Sequence, residues 1–320
     1  AKLTEAAQSF VQVRADMRKF ASSDPRVAEL RGQAEAQLAL GAFGEARILL
    51  TKAAAIDEES RVDLKQHYID RTISEAETHY LAGGAARAEL NYALAIEDFG
   101  KAASLYDEVA GFDIPDDARY RHTLSLELVG TMQMTVGNLA AAATAYEAMA
   151  RAAEKRAAAQ PDVVARQRDV VVARDKIAEV RLAEGDIAGA IAMFEESRAT
   201  LKDIIDKEPE FEYVRDLAYS YNQTGDARRI SGDVAGAEQD YRVGLKISAF
   251  LVENVPDYAG YRRDLGVSHS KLGLALRMGN DLEAAQAEYD AALAISRDLS
   301  AKSPDDMELQ RDITVSLNAM

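Results

Sequence analysis

A sequence pattern recurs about every 48 residues along most of this chain. Its clearest marker is a set of five prolines, spaced 46, 48, 47 and 48 residues apart and each followed by Asp or Glu: Pro115, Pro161, Pro209, Pro256 and Pro304. Proline ends a preceding helix and is tolerated in the first turn of the next one, where an acidic residue suits the helix dipole. The spacing therefore predicts helical units, with all six prolines, Pro25 included, at helix starts.

A second marker divides each unit into two halves. It is a glycine followed closely by Asp or Asn, as in "VGNLAAAATAY" from Val136 and "SGDVAGAEQDY" from Ser231. Glycine closes a helix in the left-handed conformation at little cost, and an Asp or Asn side chain caps the next helix. In the last of these turns the closing glycine is predicted to be Gly279. The predicted caps are Asn138, Asp186, Asp233 and Asp281.

The residues that would pack the two halves together follow the same period. A small residue recurs in each first helix: Ala34, Gly83, Gly130, Ala178, Gly225 and Gly273. An alanine follows twelve residues later: Ala46, Ala95, Ala142, Ala190, Ala237 and Ala285. A large residue follows four residues after that: Leu50, Phe99, Tyr146, Phe194, Tyr241 and Tyr289. Small side chains allow two helices to approach to about 8–10 Å, and such pairs must stack on neighbours, which predicts an all-α solenoid.

This combination of a small residue, a Gly-Asp turn, an alanine and an aromatic residue resembles the tetratricopeptide repeat. The resemblance implies a right-handed superhelix of six helix-turn-helix repeats, at about residues 25–60, 61–114, 115–160, 161–208, 209–255 and 256–303. Single helices would flank them at 3–21 and 304–320. The usual repeat has about 34 residues, whereas these have 47 to 49. We therefore expect each helix to be longer by a turn or two.

The two ends of the chain read as incomplete units. Residues 3–21 have the pattern of a second helix without its first, and residues 304–320 that of a first helix without its second. Both could be capping helices, which solenoids need. A fragment of a longer array is the slightly favoured interpretation. Sequence segments such as "YRRDLGVSHSKLG" also resemble repeats attached to bacterial signalling proteins.

Composition narrows the range of partners. A formal net charge of −16 argues against nucleic acid or an anionic membrane surface as the main partner, and the absence of cysteine excludes disulfides and thiolate metal sites. The uncharged run from Leu128 to Tyr146 is long enough to span a bilayer, but Gly137 and Asn138 predict a turn within it. We expect a soluble protein with no membrane insertion; a cytoplasmic location is favoured and an extracytoplasmic one stays open.

No arrangement of residues points to catalysis, a metal or a cofactor, and we expect none of the three. His79 and His269 occupy the same slot of the repeat, which is typical of a packing position. An Arg-Asp pair also recurs with the period, at Arg168-Asp169, Arg215-Asp216, Arg263-Asp264 and Arg311-Asp312. Recurrence in every unit argues against a single active site and predicts salt bridges between adjacent units.

The resemblance also implies a concave groove lined by the first helices of successive units. By register the groove residues are Arg31, Glu35, Tyr80, Arg87, Glu127, Thr131, Asp175, Glu179, Asn222, Asp226, Arg229, Ser270 and Arg277. Its centre is acidic, which favours a protein or peptide partner with a basic segment. The Lys and Asn arrangement with which some family members clamp a C-terminal carboxylate is not matched.

Two hypotheses about function remain. The leading one is a non-catalytic protein interaction scaffold that binds an extended peptide or a partner helix in the groove. The alternative is a regulatory, sensor or oligomerisation arm of a larger bacterial signalling protein. An enzyme is disfavoured because no constellation of residues supports one, and the oligomeric state stays open.

Overall fold

The computed structural model describes residues 12, 13, 16, 22–59, 65–303 and 313–314. Within them there are twelve α-helices of more than one turn and no strand. The helices are α1 (Pro25–Ala39), α2 (Phe43–Glu59), α3 (Lys65–Ala88), α4 (Tyr92–Val109), α5 (Asp116–Thr135), α6 (Leu139–Ala159), α7 (Val164–Glu184), α8 (Ile187–Lys207), α9 (Phe211–Ser231), α10 (Val234–Asn254), α11 (Ala259–Met278) and α12 (Leu282–Lys302). The predicted flanking helices, 3–21 and 304–320, lie mostly outside the described residues.

The helices belong to two compact units, residues 2–156 and residues 157–320. In each unit the helices pack in chain order, each against the next. In the second unit α9 also contacts α7 and α11, so first helices of successive repeats touch one another. The prediction of an all-α solenoid built from helix-turn-helix repeats is confirmed.

Long helices account for the length of the repeat. Both helices of the α7–α8 hairpin, and both of the α9–α10 hairpin, have 21 residues. The first hairpin is shorter, because α1 has 15 residues and α2 has 17.

The predicted helix caps form. Asp186 Oδ1 accepts a hydrogen bond from the backbone N–H of Gly189 at 3.0 Å, and Asp233 Oδ1 accepts one from Gly236 at 2.9 Å. Asn138 and Asp281 make the same contact with the residue three positions later, at 3.3 and 3.2 Å. Each second helix of these hairpins therefore begins where the sequence predicts.

The prediction that Gly279 closes its helix in the left-handed conformation is wrong. Gly137, Gly185 and Gly232 have φ values of 80°, 90° and 89°, as expected. In the last turn, however, Gly279 has φ −75° and Asn280 has φ 65°. The left-handed residue is the one directly before the capping Asp, and asparagine tolerates that conformation better than most residues.

The prediction that every proline starts a helix is also only partly right. Pro25 is the first residue of α1, and Pro115 is the N-cap of α5. Pro161 and Pro256 lie in turns, three residues before α7 and α11 begin. A turn closed by the Val163 N–H on the Gln160 carbonyl separates α6 from α7. Proline thus marks the break before each of these first helices, and in α1 it is also the first helical residue.

Close contact between small and large residues holds each hairpin together. A Cβ atom added at Gly225 would lie 2.5 Å from Tyr241 Cε1, and one added at Gly273 would lie 2.8 Å from Tyr289 Cε1. Gly83 faces Phe99 in the same way, at 2.8 Å. All the predicted small, alanine and large positions are buried. The predicted packing pattern is therefore the real contact between α3 and α4, α9 and α10, and α11 and α12.

The uncharged run from Leu128 to Tyr146 forms parts of two helices, because α5 ends at Thr135 and α6 begins at Leu139. No helix in the part of the chain that the structure describes is both long and apolar enough to cross a membrane.

Candidate functional site

Two of the six predicted groove residues of the first unit, Arg31 and Tyr80, lie in its interior. Arg31 on α1 is buried, and its guanidinium donates to the Ser74 carbonyl at 2.5 Å and to the hydroxyls of Ser74 and Thr78 on α3. The same group lies 3.8 Å from an Asp57 carboxylate oxygen. Burial of so many donors makes Arg31 a cross-link between helices α1, α2 and α3 rather than a free surface cation.

Tyr80 is buried and contacts α4 and α5. Its ring packs edge-on against Phe99 and lies 5.2 Å from the Arg121 guanidinium carbon. Arg121 Nη2 in turn lies 3.4 Å from Asp16 Oδ1, and Asp16 is fully buried. Burial raises the pKa of Tyr80 to about 12, so the phenol is neutral at ordinary pH.

Val13 contacts the first unit as well. It is buried, and its side chain lies directly over Gly84 of α3, where an added Cβ would overlap Val13 Cγ2. Asp16 reaches α5 through Arg121. Residues 13 and 16 thus cover the first helices of this unit next to Tyr80, and the predicted groove is partly occupied there by the chain itself.

The remaining predicted residues of the first unit are half-buried: Glu35, Arg87, Glu127 and Thr131. Thr131 Oγ1 donates to the Glu127 carbonyl at 2.9 Å and lies 3.2 Å from the Tyr146 hydroxyl. The described contacts of Thr131 are therefore internal to α5 and its hairpin.

The second unit brings predicted residues together in a concavity of about 410 Å³ between α7, α9 and α11. Asp175 and Glu179 of α7 and Asn222 of α9 all line it. Ser248 and Leu251 of α10 also contribute to its lining. Successive first helices thus leave a hollow on the surface of this unit.

The other predicted residues of the second unit lie outside this lining. Asp226 accepts a hydrogen bond from the Tyr241 hydroxyl at 2.7 Å and forms an ion pair with Lys271. Arg229 lies 3.9 Å from the same carboxylate. Ser270 is half-buried and Arg277 is exposed.

Two of the predicted groove acids, Glu179 and Asp226, are paired with cations. Lys176 Nζ lies 3.1 Å from Glu179 Oε1, and the Tyr219 hydroxyl donates to the same oxygen at 2.6 Å. Asp226 has Lys271 as its partner. Lys176 and Lys271 therefore neutralise part of the negative charge that the sequence predicted for this surface.

Asp175 differs from its neighbours. It is 6% exposed, it forms no salt bridge, and its Oδ1 has no hydrogen-bond partner. Burial, with smaller contributions from Glu179 and Asp216, raises the pKa of this carboxyl to about 7, while the hydroxyl of Ser197 on α8 lowers it. A buried acid with an unsatisfied acceptor is costly to the fold and is therefore a candidate for function.

The recurrent Arg-Asp pairs form a ladder along one wall of the concavity. Arg168 Nε donates to Asp216 Oδ2 at 2.5 Å, and Arg215 Nε donates to Asp264 Oδ2 at 2.6 Å. Each arginine reaches the aspartate of the following repeat, which confirms the predicted salt bridges between units for these two pairs. Asp312, the corresponding partner for Arg263, lies outside the described residues.

His79 and His269, which occupy the same position of the repeat, also make equivalent contacts. His79 Nδ1 lies 3.0 Å from Asp98 Oδ1, and His269 Nδ1 lies 2.6 Å from Glu288 Oε2. In both cases the acid is 19 residues later, on the second helix of the same hairpin. This agrees with a packing role. Among the described residues no group of three or more His, Cys, Asp or Glu side chains could hold a metal ion.

Sequence reasoning missed several lining residues. Val172, Tyr219 and Val267 occupy one slot, at spacings of 47 and 48, and all three face the concavity. Their spacing was a signal that could have found them. Lys271 and the arginines of the ladder also line the site.

No protein-family model matches the chain, and no curated protein matches it in sequence. Several solved structures are similar to it in fold. BtubC (BKLC) from P. vanneervenii is 18% identical, with a TM-score of 0.55 over 78% of this chain and 92% of that one. The apo form of RapI is 10% identical, with a TM-score of 0.52 over 92% and 97%. Aspartyl phosphate phosphatase F from Bacillus subtilis is 14% identical, with a TM-score of 0.53 over 99% and 69%.

These similarities concern the fold, since all the identities are low. The matched structures are those of tetratricopeptide-like repeat proteins. This chain therefore has the fold of a tetratricopeptide-type α-solenoid, with repeats of unusual length.

Proposed function

We propose that this chain is a non-catalytic protein interaction scaffold that holds an extended peptide or a partner helix against α7, α9 and α11. The observation that carries the proposal is the concavity of about 410 Å³ between these three first helices. Its lining combines apolar side chains with polar groups, which is the usual composition of a site that fixes a ligand in one orientation.

The fold supports the same proposal. Stacked helical hairpins create extended concave surfaces on which ligands bind. One similar structure is named a phosphatase, but the described residues of this chain supply no nucleophile paired with a base in the concavity. The alternative role, as a regulatory or oligomerisation arm of a larger bacterial signalling protein, stays a prediction from the sequence.

A peptide library tests the scaffold proposal. Twelve-residue peptides of random sequence, displayed on phage, are selected on the immobilised chain, and the affinities of synthetic versions are measured by fluorescence polarisation. Val267 on α11 is 37% exposed and lines the concavity, whereas Val243 on α10 is 36% exposed and does not. Val267→Glu and Val243→Glu are therefore a matched pair.

We expect Val267→Glu to weaken binding of the selected peptides about tenfold or more, because it buries a charge beneath the ligand. Val243→Glu should leave the affinity unchanged. Failure to select any peptide, or equal loss in both variants, would contradict a binding site at this concavity.

A further inference from the structure

The charges that line the concavity are unevenly matched. Its four cations are Arg168, Lys176, Arg215 and Lys271. Each is already paired with a carboxylate: Asp216, Glu179, Asp264 and Asp226 respectively. Glu212, at the same wall, contacts Arg168 at 2.8 Å. Asp175 is the lining carboxylate that has no cation, so the uncompensated charge of this site is negative.

Asn222 also lines the concavity, but its side-chain oxygen is turned toward α10. Asn222 is 8% exposed, and its Nδ2 donates to Ser268 Oγ at 3.2 Å. Its Oδ1 accepts no hydrogen bond. Asn222 occupies on α9 the slot that Asp175 occupies on α7, 47 residues earlier. A Cβ added at Gly244 of α10 would lie 2.6 Å from the Asn222 Oδ1, so this oxygen packs against α10, and Asp175 is the unpaired acceptor among the described residues of the hollow.

Apolar groups lie beside Asp175 in the concavity. Val171, Ala218, Leu251 and Val267 line the same concavity. A ligand that suits this lining has an apolar stem and a positively charged end with several N–H donors. Lysine and arginine side chains have this composition, because they bury their methylene stems along apolar surface. An anionic ligand would meet arginines that already have carboxylate partners.

We infer that the concavity receives a cationic side chain, lysine or arginine, of the bound peptide, with its charged group at Asp175 and its stem against Val171 and Leu251. This inference rests on the proposed function and names the partner's anchoring residue. It also explains why a solenoid would retain a buried carboxylate with no salt bridge: the ligand supplies the missing cation.

A structural role for Asp175 is the competing explanation. The Ser197 hydroxyl on α8 faces the same carboxyl and also has no hydrogen-bond partner. A small side-chain rotation would let the two satisfy each other. In that case Asp175 would be part of the α7–α8 packing, and no cation would bind there.

Side-chain analogues separate the two explanations without any peptide. The probes are n-butylammonium for lysine, n-propylguanidinium for arginine and n-propylurea as the neutral isostere. They are titrated into the full chain with labelled valine and leucine methyl groups, and NMR shifts of Val171, Val267, Leu251 and the Asn222 side-chain amide are recorded. Asp175→Asn is the test variant, and Asp203→Asn, at an exposed position of α8, is the matched control.

We expect the two cations to shift these resonances with a saturable dependence on concentration, and the urea to have no such effect. Asp175→Asn should weaken the binding of the cations about tenfold or more, which corresponds to loss of a charge-assisted hydrogen bond, and Asp203→Asn should not. Equal shifts with the urea, or unchanged binding of the cations by Asp175→Asn, would overturn the inference. If the two cationic probes do not bind, but selected peptides still bind and Val267→Glu still weakens peptide binding, only the cationic subsite is wrong and the scaffold proposal stands.

Discussion

The side chains of Arg168 and Asp216 form a salt bridge between adjacent repeats, and an equivalent salt bridge occurs one repeat later. Arg168 Nε donates to Asp216 Oδ2 at 2.5 Å, and Arg215, the residue before Asp216, makes the same contact with Asp264 at 2.6 Å. The Arg215-Asp216 dipeptide therefore contributes to two salt bridges. Its arginine binds the aspartate of the following repeat, and its aspartate binds the arginine of the preceding repeat. The ladder lines one wall of the concavity in the second unit.

The ladder should contribute more to geometry than to stability. The side chains of Arg215 and Asp264 are 41% and 32% exposed, so water screens their attraction. In a double-mutant cycle with Arg215→Gln and Asp264→Asn, measured by urea unfolding, we expect a coupling energy of about 0–1 kcal/mol. A coupling above about 2 kcal/mol would show that the ladder holds the repeats together.

Gly225 should tolerate a methyl group poorly. A Cβ there would lie 2.5 Å from Tyr241 Cε1, so either the ring or α9 would have to move. Gly225→Ala should lower the free energy of unfolding by about 1–3 kcal/mol, as overpacking does. The measurement is the urea midpoint, read by circular dichroism.

Gly100→Ala is the control for this substitution. Gly100 lies within α4, and an added Cβ would meet no atom within 4 Å. Relief of glycine's conformational entropy should then stabilise the chain by up to about 1 kcal/mol. We expect the two substitutions to have effects of opposite sign. Stabilisation by both would mean that helix propensity, not contact with Tyr241, decides the outcome.

The turn between α11 and α12 has a different left-handed residue from the one that the sequence predicted. Asn280 has φ 65°, whereas Gly279 has φ −75°. Asn280→Ala should cost about 1 kcal/mol, since alanine lacks asparagine's tolerance of the left-handed region. Gly279→Ala should change stability by no more than about 0.5 kcal/mol. Thermal unfolding of the two variants gives the comparison, and a larger loss for Gly279→Ala would favour the original sequence interpretation.

The parts of the fold that could be predicted are those set by local rules repeated many times. The contacts between small and aromatic residues, the Asp caps and the ladder all follow from spacing within one unit and recur with the period. The turn at Gly279 was mispredicted because glycine is only the commonest left-handed residue, and the position directly before the cap takes that conformation whatever occupies it.

The groove was harder to predict because burial depends on contacts far apart in sequence. Arg31 and Tyr80 fit the register of a groove, yet Arg31 is engaged by Ser74 and Thr78, and the Tyr80 ring by Phe99 and Arg121. No periodicity indicates that Asp16 approaches Arg121, 105 residues later. In the second unit Asp175, Glu179 and Asn222 line one concavity, but the sequence does not show that Glu179 has a cationic partner and Asp175 has none, because this depends on side-chain geometry.

Asp175 should make the stability of the chain depend on pH. Its pKa is raised from 3.8 to about 7, mainly by burial and further by Glu179 and Asp216, against the opposing influences of Ser197 and Lys176. The folded chain then binds more protons than the unfolded chain between about pH 4 and 7. Stability contributed by the neutral carboxyl is present below pH 4 and is lost as pH rises to about 7.

Comparison with Asp175→Asn isolates this effect, since Glu77 in the first unit has a pKa raised to about 7 and adds its own pH dependence. The variant should be about 1–4 kcal/mol more stable than the native chain at pH 8 and about equal to it at pH 4. Urea unfolding across this range is the measurement. A constant difference at every pH would contradict an ionisation linked to folding, and Asp203→Asn should show no difference at all.

The contact between Val13 and Gly84 gives a test of how the segment before the repeats joins the first unit. An added Cβ at Gly84 would overlap Val13 Cγ2, so Gly84→Ala should lower the free energy of unfolding by about 1–3 kcal/mol. In a chain that already carries Val13→Ala the obstacle is smaller, and the same substitution should cost clearly less. Gly32→Ala, where a Cβ meets no atom within 4 Å, should have the same effect with or without Val13→Ala. If Gly84→Ala instead stabilises the chain, as a glycine to alanine change in an unobstructed helix does, Val13 does not pack on α3 in solution.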